Sequence, residues 1–227
     1  MWGQESLDWC LGQFGSPILT GAVLVPDASF FPGTYTGSPQ DVETILTTVC
    51  NQMGVDRQSV ILEMMPTQTD RELLAHLPAY GTSFQGEAGH YQRREDGFVV
   101  AVSDDQLDAP VALTAVIAHE LGHVRLLGEA RIDPGRADGE ALTDLVAVFL
   151  GLGVFNANAS FNFHTTRGGW GTSRLGYLSE QMFGYALAYH ARMRAETWPS
   201  WAKYLDVNPR VYMRQATRYL KATNRPA

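Results

Sequence analysis

Two histidines and three carboxylates in this chain stand at spacings that suit a bound cation and a proton-transfer base. His119-Glu120-Leu121-Gly122-His123 continues the apolar stretch that begins at Val111. On a helix, His119 and His123 are one turn apart, so both imidazoles project from one face at a separation suited to a single metal ion. Glu120 is turned about 100° from His119. Its carboxylate can therefore sit beside the metal rather than on it, where a general base for water belongs. Downstream, Glu140 and Asp144 repeat the one-turn spacing on a second, otherwise apolar segment. Carboxylates placed that way are costly to bury unless they are paired or hold a cation. Glu140 is the expected third ligand and Asp144 the outer carboxylate that orients an imidazole. The expected cofactor is zinc, one per chain.

These residues resemble the gluzincin pattern of zinc metallopeptidases, His119-Glu120-x-x-His123 followed by Glu140-x-x-x-Asp144. The resemblance covers about a quarter of the chain, roughly residues 98–154. It implies that His119, His123 and Glu140 hold zinc, that Glu120 activates water, and that Asp144 hydrogen-bonds a ligand histidine. It also implies a zincin-like fold and a peptide or protein substrate. Sixteen residues separate His123 from Glu140, slightly fewer than is usual in that family, and Gly139 stands where an asparagine is common. A rival third ligand is Glu129, six residues after His123, where the metzincin pattern places its last histidine. That pattern needs a glycine at position 126, which here is Leu126. Asp133, Asp138 and Asp144 are further alternatives as ligands.

Elements that could position this site follow from periodicity and turn chemistry. Ser38 and Pro39 open a helix whose apolar residues Val42, Ile45, Leu46, Val49 and Met53 keep the helical period, and Gly54 closes it. Residues 21–25 and 60–62 read as strands, and 70–77 as a short helix stopped by Pro78. The glycine-rich stretch 80–90 reads as a loop, and 91–95 with 98–103 as a hairpin turning at Asp96-Gly97. Four helical blocks follow, 110–127, 138–154, 179–197 and 209–222, the first capped by Asp108 and begun by Pro110. Strands first and helices later predict an α+β fold. A small, mostly antiparallel N-terminal sheet would pack on the His119 helix. We read residues 1–227 as one domain, with a sheet-containing part (1–109) and a mainly helical part (110–227).

Composition narrows the function. The 227 residues include 24 aromatics, ample to build a core, and only two cysteines, Cys10 and Cys50, expected as buried free thiols. The longest nearly unbroken apolar run, 145–155, is too short to cross a bilayer, so no membrane span is expected. Met1-Trp2-Gly3-Gln4-Glu5 has neither a basic nor an apolar leader region, which predicts a cytoplasmic location. A net charge of −7 argues against general nucleic-acid binding. From His190 onward the chain carries +6, leaving −13 before it. Arg210, Arg214 and Arg218 form a stripe, either a solvated face or a docking site for an acidic partner.

Peptide hydrolysis also needs a donor for a developing oxyanion. His164, Arg167, Tyr177 and His190 are the candidates for oxyanion or substrate contacts. The expected function is zinc-dependent peptide-bond hydrolysis with Glu120 as general base. A non-catalytic, zinc-bound interaction module is the alternative. A fourth protein ligand would favour the module, and an open coordination position the enzyme.

Overall fold

Local sequence rules account for most of the elements in the computed structural model, which describes residues 1–65, 89–160, 162–166, 169–173 and 177–223. The chain is α+β, mostly helical, with a small three-stranded mixed sheet. Helix α1 (Trp2–Phe14) buries Gly3, Ser6, Leu7 and Cys10, a stripe at helical spacing that the aromatic- and glycine-rich composition of the segment masks. Helix α2 (Pro39–Met53) begins with a capping box. Ser38 accepts from the Asp41 backbone N–H, and the Asp41 carboxylate accepts from that of Ser38. Gly54 ends the helix in the left-handed conformation.

Strands β1 (Val60–Met65), β2 (Gly89–Arg94) and β3 (Gly97–Ser103) lie in the order β1-β3-β2. The β2–β3 hairpin is antiparallel, but β1 runs parallel to β3, so the sheet is mixed rather than mostly antiparallel. A two-residue turn is a local feature; the β1–β3 pairing joins segments nearly forty residues apart, for which no local signal exists. The hairpin turn is also one residue earlier than expected. Arg94 pairs with Gly97, making Glu95 and Asp96 the turn. Gly97, at φ 151°, leaves room for the Ser59 carbonyl, which an added Cβ would approach to 2.6 Å.

Helix α3 (Pro110–His123) packs against β2, β3, α2 and helix α4 (Gly139–Ala147). Pro110 occupies its first turn as expected, but Ala109 is the N-cap and no side chain caps it, so Asp108 does not serve that role. Both α3 and α4 run into wider π-helical turns, Val124–Gly128 and Val148–Leu152. Helix α5 (Gly153–Ala159) then crosses α3. Helices α6 (Glu180–Met193) and α7 (Val207–Thr223) pack on each other, and α6 also contacts α1. A second hairpin, β4 (Asn162–Thr166) with β5 (Gly169–Ser173), interrupts the half expected to be mainly helical.

Residues 21–25 form no strand; a 3₁₀ turn (Ser16–Thr20) precedes them, and Leu24 N–H donates to the Gly151 carbonyl instead. The expected helix at 70–77 and most of the expected loop at 80–90 lie outside the described residues. Residues 89 and 90 begin β2.

One apolar cluster joins the helices and the three-stranded sheet, and Leu113, Ile117, Leu121, Leu145, Phe149 and Phe155 are among its fully buried side chains. The continuous segments Pro110–Gly128 and Gly139–Ala159 are long and apolar enough to span a membrane by length and composition alone, yet 67% and 89% of their apolar windows are buried inside the fold. Cys10 and Cys50 are buried and unpaired, and burial pushes their thiols up to about 12 and about 11.

Gly151 breaks the second of these segments at φ 90°. Its missing Cβ leaves space for the Ala22 carbonyl (2.6 Å) and for Gln52 Nε2 (2.7 Å), which donates to the carbonyls of Ala22 and Leu150. Gly151→Ala combines positive-φ strain with a backbone collision. We expect roughly 2–4 kcal/mol of destabilisation in urea unfolding. Gly12→Ala, in an exposed helical position with nothing within 4 Å, should instead stabilise by about 0.5–1 kcal/mol. Equal effects at the two glycines would refute the close-approach argument.

Candidate metal centre

Helices α3 and α4 cross closely enough for their side chains to converge, and a glycine permits it. A Cβ on Gly122 would lie 2.7 Å from the Thr143 methyl and 3.2 Å from the Thr143 carbonyl. At this crossing His119 Nε2 and His123 Nε2 lie 3.1 Å and 3.2 Å from the same oxygen, Glu140 Oε2. One ligand atom from each of these three residues falls within 4.8 Å of the other two, so the group could hold a metal ion. The imidazole side chains are only 12% and 11% exposed and the Glu140 side chain 47%, so the group opens outward on the carboxylate side.

Asp144 is fully buried and fastens the other side of His119. Its Oδ1 lies 2.8 Å from His119 Nδ1. Its Oδ2 accepts from the backbone N–H groups of Tyr177 (2.7 Å) and Leu178 (3.1 Å). That arrangement favours a proton on Nδ1 and leaves Nε2 facing Glu140, the orientation a metal ligand requires. Thr143, also fully buried, places Oγ1 3.5 Å from His123 Nδ1 while donating to the Gly139 carbonyl at 2.9 Å.

Two tyrosines flank the histidines. Tyr91 stacks on His123 with centroids 5.9 Å apart, and Tyr177 on His119 at 5.6 Å. Periodicity placed Tyr91 on a strand, but nothing in the sequence pairs it with a histidine 32 positions away.

The electrostatics favour positive charge. Burial pushes His119 down, but hydrogen bonds to Asp144 and Glu140, with the charges of Asp144 and Glu120, outweigh it and lift the imidazole to about 10. Hydrogen bonds from His119 and His123 hold Glu140 well below the usual carboxylate range against its own desolvation. A potential strong enough to retain that proton is equally suited to a divalent cation, which must displace it. Glu120, next to His119 on α3, is buried.

The competing ligands are engaged elsewhere. Glu129 pairs with Arg125 and Arg131, both at 2.7 Å, and those two guanidinium groups lie over the Phe14 ring. Asp138 accepts from Trp2 Nε1 and Arg136, and Asp133 from the Gly135 backbone.

Among the oxyanion candidates, Tyr177 is at the site and half exposed. His164 is on β4, but its side chain lies outside the described residues, as does Arg167. His190 is not a contact residue of this group. It is 1% exposed on α6, with its ring 6.2 Å from that of Phe149. Its helical position faces the core, a distinction that spacing alone does not make. The arginine stripe lies on α7, with Arg214 over the Trp198 ring.

A scan of protein-family models found no match to this chain, and searches of curated proteins and of solved structures found none either.

Elemental analysis should find one metal ion per chain, lost in Glu140→Ala and retained in Glu129→Ala. Asp144→Ala should bind it about 10–100-fold more weakly in chelator competition. Loss of metal from Glu129→Ala, with Glu140→Ala unaffected, would reverse the ligand assignment.

Burial and the nearby Arg194 push His190 down to about 3, outweighing the opposing effect of the Phe149 backbone. An unfolded histidine titrates near about 6.5. Between those values the unfolded chain binds the extra proton, so the stability held above pH ~6.5 falls as pH falls towards 3. His190→Leu should flatten that part of the urea-midpoint profile, whereas parallel wild-type and variant profiles would contradict it.

Proposed function

We propose that this protein is a zinc-dependent hydrolase of peptide bonds, built on a zincin-like α+β scaffold. The observation that carries the reading is the convergence of two imidazoles and one carboxylate with a buried glutamate one residue from the first. Two nitrogen donors and one oxygen donor suit borderline-soft zinc. No fourth histidine, cysteine or acidic side chain joins the group among the described residues, which favours a catalytic site over a closed structural one.

His119, His123 and Glu140 would hold the metal. When bound, zinc supplies Lewis acidity toward a substrate carbonyl and lowers the pKa of water. Glu120 accepts the proton from the attacking water and passes it to the leaving amine nitrogen, which departs neutral. Asp144 keeps His119 in one tautomer and draws charge onto its ring. Tyr177, half exposed on the face of His119, stands where a phenol could donate to a developing oxyanion.

Glu120→Gln separates this reading from a non-catalytic module. The substitution keeps size and hydrogen bonding but removes basicity. Wild type and variant would be incubated with a mixed peptide library and new termini read by mass spectrometry. We expect cleavage by wild type, a loss of at least about 10²-fold in the variant, and equal metal content in both. Full metal occupancy without cleavage by either protein would favour the interaction module.

A further inference from the structure

Positive charge ahead of the C-terminal helices is neutralised almost everywhere it is described. Residues 1–189 contain no lysine. Of their described arginines, Arg57, Arg94, Arg125, Arg131 and Arg136 each pair with a carboxylate. Arg93 is the exception: it is exposed, and its guanidinium has no carboxylate partner among the described residues. We propose that Arg93 is a specificity-determining residue of the site, selecting peptides that carry an acidic side chain near the scissile bond. The inference rests on the hydrolase reading for its reaction, whereas the placement of Arg93 does not depend on it.

Side chains alternate along a strand, so Tyr91 and Arg93 leave β2 on one face and Gln92 and Arg94 on the other. Pairing with β3 fixes which face is which. Tyr91 lies opposite Val100, which is buried in the core, and Arg93 lies opposite Phe98. The Phe98 ring stacks on Tyr91 with centroids 6.1 Å apart, and Tyr91 stacks in turn on His123 at 5.9 Å. Arg93 therefore stands at the outer end of an aromatic surface that leads to the metal group. Burial raises the Tyr91 phenol and the Arg93 charge opposes it, so the guanidinium is close enough to act on that ring. On the other face Arg94 is held by Glu63 at 2.6 Å. Consecutive arginines of one strand thus differ in kind, one neutralised within the sheet and one left open beside the site.

A guanidinium presents a planar fork of N–H donors that matches a carboxylate in two parallel hydrogen bonds. Arg93 is two positions from Tyr91, about 6.8 Å along the strand, roughly the span of two residues of an extended peptide. A peptide whose carbonyl reaches His119, His123 and Glu140 brings a nearby side chain within reach of Arg93. The arginines that follow His123 do not compete for it, because Arg125 and Arg131 are both held by Glu129. The acidic side chains of the metal group repel a second carboxylate, so Arg93 is the position at which one gains.

Fluorescently labelled peptides with Glu, Gln or Lys at each position around the cleaved bond would be compared on wild type, Arg93→Lys, Arg93→Gln and Arg93→Glu. We expect wild type to favour Glu over Gln at one position by about 10-fold in kcat/KM, mainly through KM. Arg93→Lys should keep that preference in weaker form, Arg93→Gln should lose it, and Arg93→Glu should favour Lys instead. A wild type without the preference, or one whose preference persists in Arg93→Gln and Arg93→Glu, would overturn the proposal. If wild type cleaves none of the peptides, the hydrolase reading fails, and fluorescence anisotropy of the same peptides on the four zinc-loaded proteins still judges Arg93. Tighter binding of Glu than of Lys peptides by wild type, reversed in Arg93→Glu, supports its role; equal binding of both refutes it. Should circular dichroism show Arg93→Glu unfolded, a preference kept in Arg93→Lys and lost in Arg93→Gln decides for the proposal, and one kept in both decides against it.

Discussion

The carboxylate of Asp144 is the interaction on which the rest of this architecture depends. It has no access to solvent, so its charge must be met by protein groups, and three are in place: one imidazole nitrogen and two backbone amides. Those groups belong to helix α3 and to the turn that leads into α6. A single buried anion therefore joins α3, α4 and the approach to α6 at one point. Removing any one partner would leave a charge inside the protein, at a cost of several kcal/mol. The same requirement holds His119 in a fixed orientation and raises its basicity.

Close packing makes that connection possible. At Gly122 and Thr143 the two site helices approach until a single added carbon would collide. Beyond the site both helices widen into π-turns, the second of which includes Gly151 at positive φ. Such turns place one extra residue in the spiral and redirect the chain that follows. After His123, the π-turn carries Arg125 toward Glu129 and the Phe14 ring. Glu129 and Asp138, beyond the turn, are committed to ion pairs with arginines, while Glu140 approaches from α4.

Charge and shape at the site point the same way. Three carboxylates, those of Glu120, Glu140 and Asp144, act on two imidazoles in a setting largely removed from water, and the excess negative potential is expressed as a strongly retained proton on His119. A cation bound there would replace that proton and gain from the same field. Glu140 is the exception in exposure: its half-open side chain gives the group its access to solvent, and the Tyr177 ring borders it.

Within this chain, spacing alone defines what helix and hairpin geometry can express. The one-turn pairs His119/His123 and Glu140/Asp144, the α2 capping box, the β2–β3 hairpin and the helices around them all follow from relations a few residues long. Such relations are set by the backbone whatever surrounds it. The choice of Glu140 over Glu129, the parallel pairing of β1 with β3 and the positions of Tyr91 and Thr143 depend on how elements cross. So does the burial of His190, which its surroundings keep neutral to about 3. Those contacts join residues 17 or more positions apart, and they form only because apolar faces must be buried together. Periodicity shows which face of a helix is apolar; the packed core determines which neighbour that face meets.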